Sequence, residues 1–508
     1  MKNNDLIKNT ISAIVLQIVL AISGLIVPQL LIRSFGSTSN GMVSSIQQFI
    51  TYLGLVEAGV GSASIVQLYK PLLEKKFNEV NSILAATKIF YMKSGFLYMF
   101  LVLGLLFIYP MFVSNQVDSW TVTWMILIVS MSGIGDYFIL GKYRVLLTAD
   151  QKYYVITFIQ SLGTIVNIGL TIILVNLNQS ILVVKFFATL VYVSRIIFVY
   201  LYVRKKYPYL NMKVKPDFSK LDQKWDALIH QVAGMVVLNT DIGLLTIFRY
   251  PLTTISVYTV YNMILGIVFS FLNALLNAIT PTFGTILVQE NQKKSNDYFS
   301  LYEFFYFILM FTLFICIFIL IMPFVSLYTN GITDVNYLRQ DVAFIFIILG
   351  IMYMIRTPAL TIINAAGHYK QTKNGAIIES IINIVVSLSL IGHYGIVGVL
   401  LGTVCSHCFR STELIIYNAK HIIFNSLFLT VKRIIRNVLI SIVCIFIIFQ
   451  FNFSVESYSS WTIYAVFVFV TSSIILLAIN FICEKNMVLS LKELRNRNKN
   501  MGKEKEGN

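Results

Sequence analysis

Residues 225–249, WDALIHQVAGMVVLNTDIGLLTIFR, decide how the rest of the chain is read. A helix of this length crosses the roughly 30 Å hydrocarbon core of a bilayer. Yet it carries His230, Asn239, Asp241 and a terminal Arg249. An Asp at bilayer depth costs about 2.5–3.5 kcal/mol on insertion scales, so Asp241 has to face protein or water rather than lipid. A segment that spans and still keeps a carboxylate marks a functional helix bundle.

Working outward, 57% of the 508 residues are hydrophobic and 12% charged, and the mean hydropathy is +0.77. That leaves too little polar surface for a soluble globule of this size. Apolar windows predict spans near 7–32, 40–69, 81–112, 120–147, 153–176, 180–203, 226–249, 256–288, 299–328, 339–363, 373–391, 395–418, 434–453 and 460–483. The fold class is an all-α integral membrane protein of about 14 helices. The run Ile11–Ile32 is too long for the core of a signal peptide and is kept as the first span. Pro28, Gly54, Gly59, Gly61, Pro281, Pro323 and Pro358 are expected kinks or close-packing points. Lys70 to Lys88, with Leu72, Phe77 and Leu84 among charges, reads as a short interfacial helix leading into the third span. Connectors are short, so any function lies in the bundle or at its mouths.

The net charge of +16 is distributed unevenly. One set of alternate connectors collects most of the 39 Lys and Arg residues, including Lys142, Arg144, Lys432, Arg433, Arg436, the 204–224 segment and the tail from Lys485. The opposite set holds Arg33, Arg249 and Arg339. This asymmetry predicts cytoplasmic termini and contacts with anionic membrane lipids, not nucleic acid. All five Cys fall in apolar runs, and Cys405-Ser-His-Cys408 has no second pair of soft ligands nearby in sequence, so neither a disulfide framework nor a metal is expected.

Sliding the chain on itself by about 216 residues aligns Arg33 with Arg249, Ala149 with Ala366, Asn167 with Asn383, Arg195 with Arg410 and Tyr202 with Tyr417. Six spans separate equivalent helices, so the copies have one orientation. The expected plan is a six-helix bundle at 1–203, a basic cytoplasmic linker at 204–224, a second six-helix bundle at 225–420, two appended helices at 421–484 and a basic tail at 485–508. Like-oriented repeats of this kind enclose a central substrate cavity near the midplane.

Glu57, Asp136, Lys185, Arg195, Asp241, Arg356, Glu379, Arg410 and Glu413 lie within spans. They must pair or turn inward. Arg410 and Glu413, one turn apart, suit an ion pair. Arg356 has no acid three or four residues away and suits a phosphate, which guanidinium binds through two parallel hydrogen bonds. Candidate substrate-binding residues are Arg33, Arg195, Arg249, Arg356, Arg410 and Asn383; candidate ion-coupling or gating residues are Glu57, Asp241 and Glu379.

The run Gly54-Leu-Val-Glu57-Ala-Gly59-Val-Gly61, the Asn239-Thr-Asp241 triplet, the Val257-Tyr258 opening of span eight and the twelve-plus-two plan resemble the Wzx-type polysaccharide flippases of the multidrug/oligosaccharidyl-lipid/polysaccharide exporter superfamily. The resemblance implies translocation of an undecaprenyl-pyrophosphate-linked sugar repeat unit to the outer leaflet of a bacterial plasma membrane, by alternating access. It also implies a place beside a polysaccharide polymerase and a chain-length regulator. Glu57 and Asp241 match family positions. No Gly-x-x-x-x-Gly-Lys-[Ser/Thr] phosphate loop occurs, so no nucleotide or other cofactor is expected. Two rivals remain: a drug/cation antiporter of the same superfamily, which calls for cavity acids rather than an Arg excess, and a membrane glycosyltransferase, polymerase or ligase, which calls for a sizeable outer loop.

Overall fold

A chain crossing hydrocarbon finds no water for its peptide groups, and a helix is how one segment satisfies them alone. The computed structural model describes residues 3–57, 60–218, 224–424, 427–451 and 453–485. The side chains of residues 3, 4, 6, 224–231, 277 and 278 lie outside the description, and so do Gly59, the tail beyond Lys485 and the expectation for His230.

Among the described residues there are helices and no strand. The first eight are α1 (Asn3–Leu53), α2 (Val60–Leu73), α3 (Phe77–Ile108), α4 (Pro110–Val113), α5 (Ser119–Gly135), α6 (Gly141–Ala149), α7 (Tyr154–Asn176) and α8 (Ile181–Lys206). Then come α9 (Lys224–Ile247), α10 (Leu252–Gln289), α11 (Gln292–Tyr328), α12 (Gln340–Met354), α13 (Thr357–Ala365), α14 (Tyr369–Tyr394), α15 (Ile396–His421), α16 (Leu427–Phe449) and α17 (Tyr458–Cys483). Eleven described segments are long and apolar enough to cross a membrane. Each span expected from sequence falls on helix.

The helix breaks have local causes. Gly36 (φ 79°, ψ 166°) bends α1 in a conformation that a side chain disfavours. Asp334 then caps the second half, accepting from the Ser37 amide and hydroxyl at 2.7 Å each. A 3-10 turn occupies Gly54–Glu57, and a π-helical turn occupies Asp136–Leu140. Pro358 parts α12 from α13. Its missing N–H frees the carbonyl of Met354, which the Tyr306 hydroxyl takes at 3.3 Å. Pro28, Pro281 and Pro323 stay inside continuous helices.

Three expectations are corrected. No separate interfacial helix precedes the third span: the chain turns at Lys75 (φ 54°) and α3 runs unbroken from Phe77, because Val80, Ile83 and Leu84 are buried rather than laid on a surface. The thirteenth helix begins at Leu427, earlier than its apolar window, and contains Arg433 as a buried residue instead of a connector cation. Arg144 likewise sits inside α6, bonded to Asp136.

The chain divides into two units. Unit 1 comprises Met1–Met263, Gly331–Asn336 and Asn383–Val399. Within it α1 meets the start of α10, where Asn40 donates to Ser256 at 2.8 Å and Gly41 lies against the Leu252 carbonyl. After α8, the linker returns to the start of α3: Asn81 donates to the Tyr209 carbonyl at 3.1 Å and Ser82 to that of Lys215 at 2.8 Å.

Unit 2 comprises Ile264–Asn330, Tyr337–Ile382 and Leu400–Asn508. Here α11 packs against α16 and α17 through a fully buried arginine. Arg433 donates to Glu303 at 2.8 Å, to the Ser300 carbonyl at 3.0 Å and to Glu484 at 2.7 Å. Outside the spans, burial works against ionisation of the Glu484 carboxyl, but Arg433 and Arg436 together hold it below the ordinary range.

Two outcomes test this packing. Gly41→Ala, whose Cβ would meet the Leu252 oxygen at 1.8 Å, lowers the thermal unfolding midpoint of purified protein, whereas Gly24→Ala, in open space, leaves it unchanged or higher. Arg433→Ala strands the buried Glu303 carboxylate and costs about 3–5 kcal/mol, while Arg433→Met with Glu303→Leu, which leaves Glu484 on Arg436, recovers most of the loss.

Candidate functional site

Besides the Arg433 cluster, three polar clusters stand out in the described helices, two in unit 1 and one in unit 2. The first surrounds the Asn239-Thr-Asp241 triplet of α9. Asp241 is buried and accepts from the Tyr258 hydroxyl of α10 at 2.9 Å. Thr240 donates to Asn383 of α14 at 2.9 Å, and the Tyr52 hydroxyl of α1 donates to the Asn239 carbonyl. Asn383, expected to touch substrate, is fully buried and engaged in holding α9.

The second cluster forms where the π-helical turn joins α5 to α6. In a regular helix, residues eight apart point roughly 80° from each other. The wider turn removes most of that angle, and Arg144 reaches Asp136 at 2.8 Å. Tyr192 of α8 donates to the other Asp136 oxygen at 2.7 Å. Glu57, in its 3-10 turn, interacts with the charges of Arg144 and Asp136 and leaves one buried carboxylate oxygen without a hydrogen-bond partner.

One turn beyond Tyr192 stands Arg195, its guanidinium carbon 5.6 Å from the Tyr192 ring centre. Gly163 of α7 makes the room, since a Cβ there would lie 2.2 Å from Arg195 Nε. That Nε is buried and unbonded, and Arg195 makes no ion pair among the described residues. A cavity of about 280 Å³ opens beside it. Arg144, Tyr153, Gln160, Tyr192 and Arg195 supply its polar lining, which contains no carboxylate.

The third cluster occupies unit 2. Arg356 stands at the α12–α13 break and bonds Glu379 of α14 at 2.6 Å, with its guanidinium carbon 4.4 Å from the Tyr353 ring centre. His407 of α15, fully buried, meets the same Glu379 oxygen through Nδ1 at 3.1 Å, while its Nε2 has no partner. Arg410 bonds Glu413 at 2.5 Å and the Thr372 carbonyl at 3.0 Å, and its Nε lies 3.7 Å from Glu379. Gly375 leaves space for that pair.

Two arginines and two glutamates therefore balance, and Arg356 is not the unpaired cation that its own helix suggests. Its acid comes from another helix, which spacing along one helix cannot reveal. Arg33 and Arg249 are exposed at the ends of their helical segments, and neither lines the Arg195 cavity. Arg249 takes a left-handed conformation (φ 58°) that caps α9 ahead of Pro251. The sequence carried signals for Asp136 and His407 as intramembrane polar residues, but nothing in it placed Glu57 beside Arg144.

No family model and no curated protein matches this sequence. Solved structures do. The lipid II flippase MurJ in an inward closed conformation matches with a TM-score of 0.66 over 96% of this chain and 100% of that one, at 15% identity. A multidrug resistance MATE family transporter of the MOP superfamily, inward-facing, gives 0.63 over 79% and 94%, at 13% identity. The fold is that of MOP superfamily transporters. A further member from Pyrococcus furiosus, described by the reversed polarity of its binding pocket, gives 0.56 over 83% and 95%, at 14% identity.

Charge balance in unit 2 of this MOP fold has a measurable consequence. Glu379→Gln removes the shared partner of Arg356, His407 and Arg410 and costs about 3–5 kcal/mol of stability, read as a lower unfolding midpoint. Glu413→Gln, whose side chain is 27% exposed, costs distinctly less.

Proposed function

We propose that this chain is a flippase that moves a polyprenyl-pyrophosphate-linked oligosaccharide repeat unit from the cytoplasmic to the outer leaflet of a bacterial plasma membrane. The observation that carries this reading is Arg195, a half-buried guanidinium with no ion pair among the described residues, beside a cavity lined by no carboxylate, in which Arg144 is already paired with Asp136. Such a lining favours an anion, and an arginine's planar donors match a phosphate in two places at once. The likeness to MurJ over nearly the whole of both chains supports a lipid-linked substrate. The glycan travels in water, the prenyl tail stays in lipid, and both termini are cytoplasmic. A polymerase and a chain-length regulator then act on the product.

Arg356, Arg410, Arg33 and Arg249 contribute in different ways. The first two are already neutralised, so a phosphate reaching them must exchange with Glu379 or Glu413. Arg33 and Arg249, exposed at helix ends, serve at the mouth. Asn383 acts indirectly by holding Thr240. Of the three ion-coupling candidates, Glu57 is favoured over Asp241 and Glu379 because one of its carboxylate oxygens has no hydrogen-bond partner, leaving it open to a proton or cation.

Reconstitution decides the matter. In liposomes carrying a fluorescent polyprenyl-diphosphate oligosaccharide, wild-type protein exposes label to a membrane-impermeant quencher. Arg195→Ala slows this by about ten-fold or more and Arg195→Lys by less, as loss of a charge-assisted hydrogen bond implies. An Arg195→Ala protein that flips at the wild-type rate, or a wild-type protein that exports cationic drugs and no glycolipid, overturns the proposal.

A further inference from the structure

A slot in unit 1, separate from the Arg195 cavity, lies between the first turns of α1, the first turns of α7 and Tyr202 near the end of α8. It encloses about 600 Å³, and Ile11, Val15, Val155, Phe158 and Ile159 form its apolar walls. Ser12 and Ser161 also line it, but their hydroxyls are occupied: Thr157 donates to Ser12 at 2.8 Å, and Ser161 donates to the Thr157 carbonyl at 2.8 Å. The wall thus offers hydrocarbon and no spare polar group.

The mouth is different. Lys8 lies over the Tyr154 ring, its Nζ 5.5 Å from the centre, and Tyr202 stands beside Tyr154. Asn9 fixes this corner, accepting from the Tyr154 amide at 2.7 Å and donating to the Gln151 carbonyl at 2.8 Å. Lys8 is exposed and makes no ion pair among the described residues. Nearby, Asp150 is already bound by Lys152 and by the Tyr207 hydroxyl, at 2.5 Å each. Arg204, Lys205 and Lys206, all exposed, begin two residues after Tyr202. Asp5, one turn before Lys8, is the opposing charge.

We propose that this slot binds an anionic phospholipid of the surrounding bilayer, with one acyl chain against the walls and the phosphate at Lys8. A lysine near a membrane surface attracts an anionic lipid by about 1 kcal/mol, and this one stands at the open end of an apolar slot. Free phosphate would leave the walls bare. A zwitterionic lipid would bring its own ammonium against Lys8. The end of the bundle where the basic connectors gather is the end expected to face the anionic cytoplasmic leaflet.

The test uses the full chain in phosphatidylcholine nanodiscs doped with phosphatidylglycerol, counting the lipids retained after release by native mass spectrometry. Phosphatidylglycerol is retained about five-fold above its share of the disc. Lys8→Glu abolishes that enrichment, Val15→Trp fills the slot and lowers retention of both lipids, and Lys70→Glu, exposed elsewhere, changes nothing. Retention in proportion to disc composition, or enrichment that survives Lys8→Glu, overturns the proposal. Should Val15→Trp fail to fold, the Lys8→Glu result alone decides, because that side chain is exposed and makes no ion pair among the described residues.

Discussion

Asp136, Asp241, Arg356 and Arg433, charges placed inside the described helices, are each met by a partner from another helix, and that requirement ties the structure together. The α9 triplet illustrates the constraint. Asn239, Thr240 and Asp241 are engaged by Tyr52, Asn383 and Tyr258, from α1, α14 and α10 respectively. Four helices, two of them distant in sequence from α9, are therefore joined by groups that would be costly left alone. Arg433 does the same in unit 2, where Glu303 of α11 and Glu484 beyond α17 converge on one guanidinium.

The same rule separates structural charges from available ones. Arg433, Arg356 and Arg410 each meet a carboxylate within 2.8 Å, and a ligand can use them only by displacing it. Arg195 meets none and is packed instead against a tyrosine face, in space that a glycine vacates. An unpaired guanidinium is unfavourable in an empty site and favourable in an occupied one. That difference is what a binding site requires of its residues.

Much of the fold was legible because helix length and hydrophobicity are properties of single segments. The spans, the positions of Gly54 and Pro358 as breaks, and the pairing of Arg410 with Glu413 could all be read one helix at a time. What escaped depends on two segments together. Arg433 looks like a connector cation until Glu303 is found opposite it. Arg356 looks free until Glu379 arrives from α14, and Arg144 looks like an interfacial charge until the π-helical turn swings it toward Asp136. A window average cannot see a partner carried by another helix, whether 23 or 130 residues away, nor a one-residue change in helical phase.

The internal offset in the sequence bears on one contact in particular. Asn40 and Ser256 stand 216 residues apart, the separation that aligns Arg33 with Arg249, and their side chains are hydrogen-bonded to each other. Bulk cannot accumulate at this contact: Gly41, the next residue, lies against the Leu252 backbone with no room for a Cβ. Small side chains, with Asn40 donating to both Ser256 and Thr259, let α1 and α10 cross closely there.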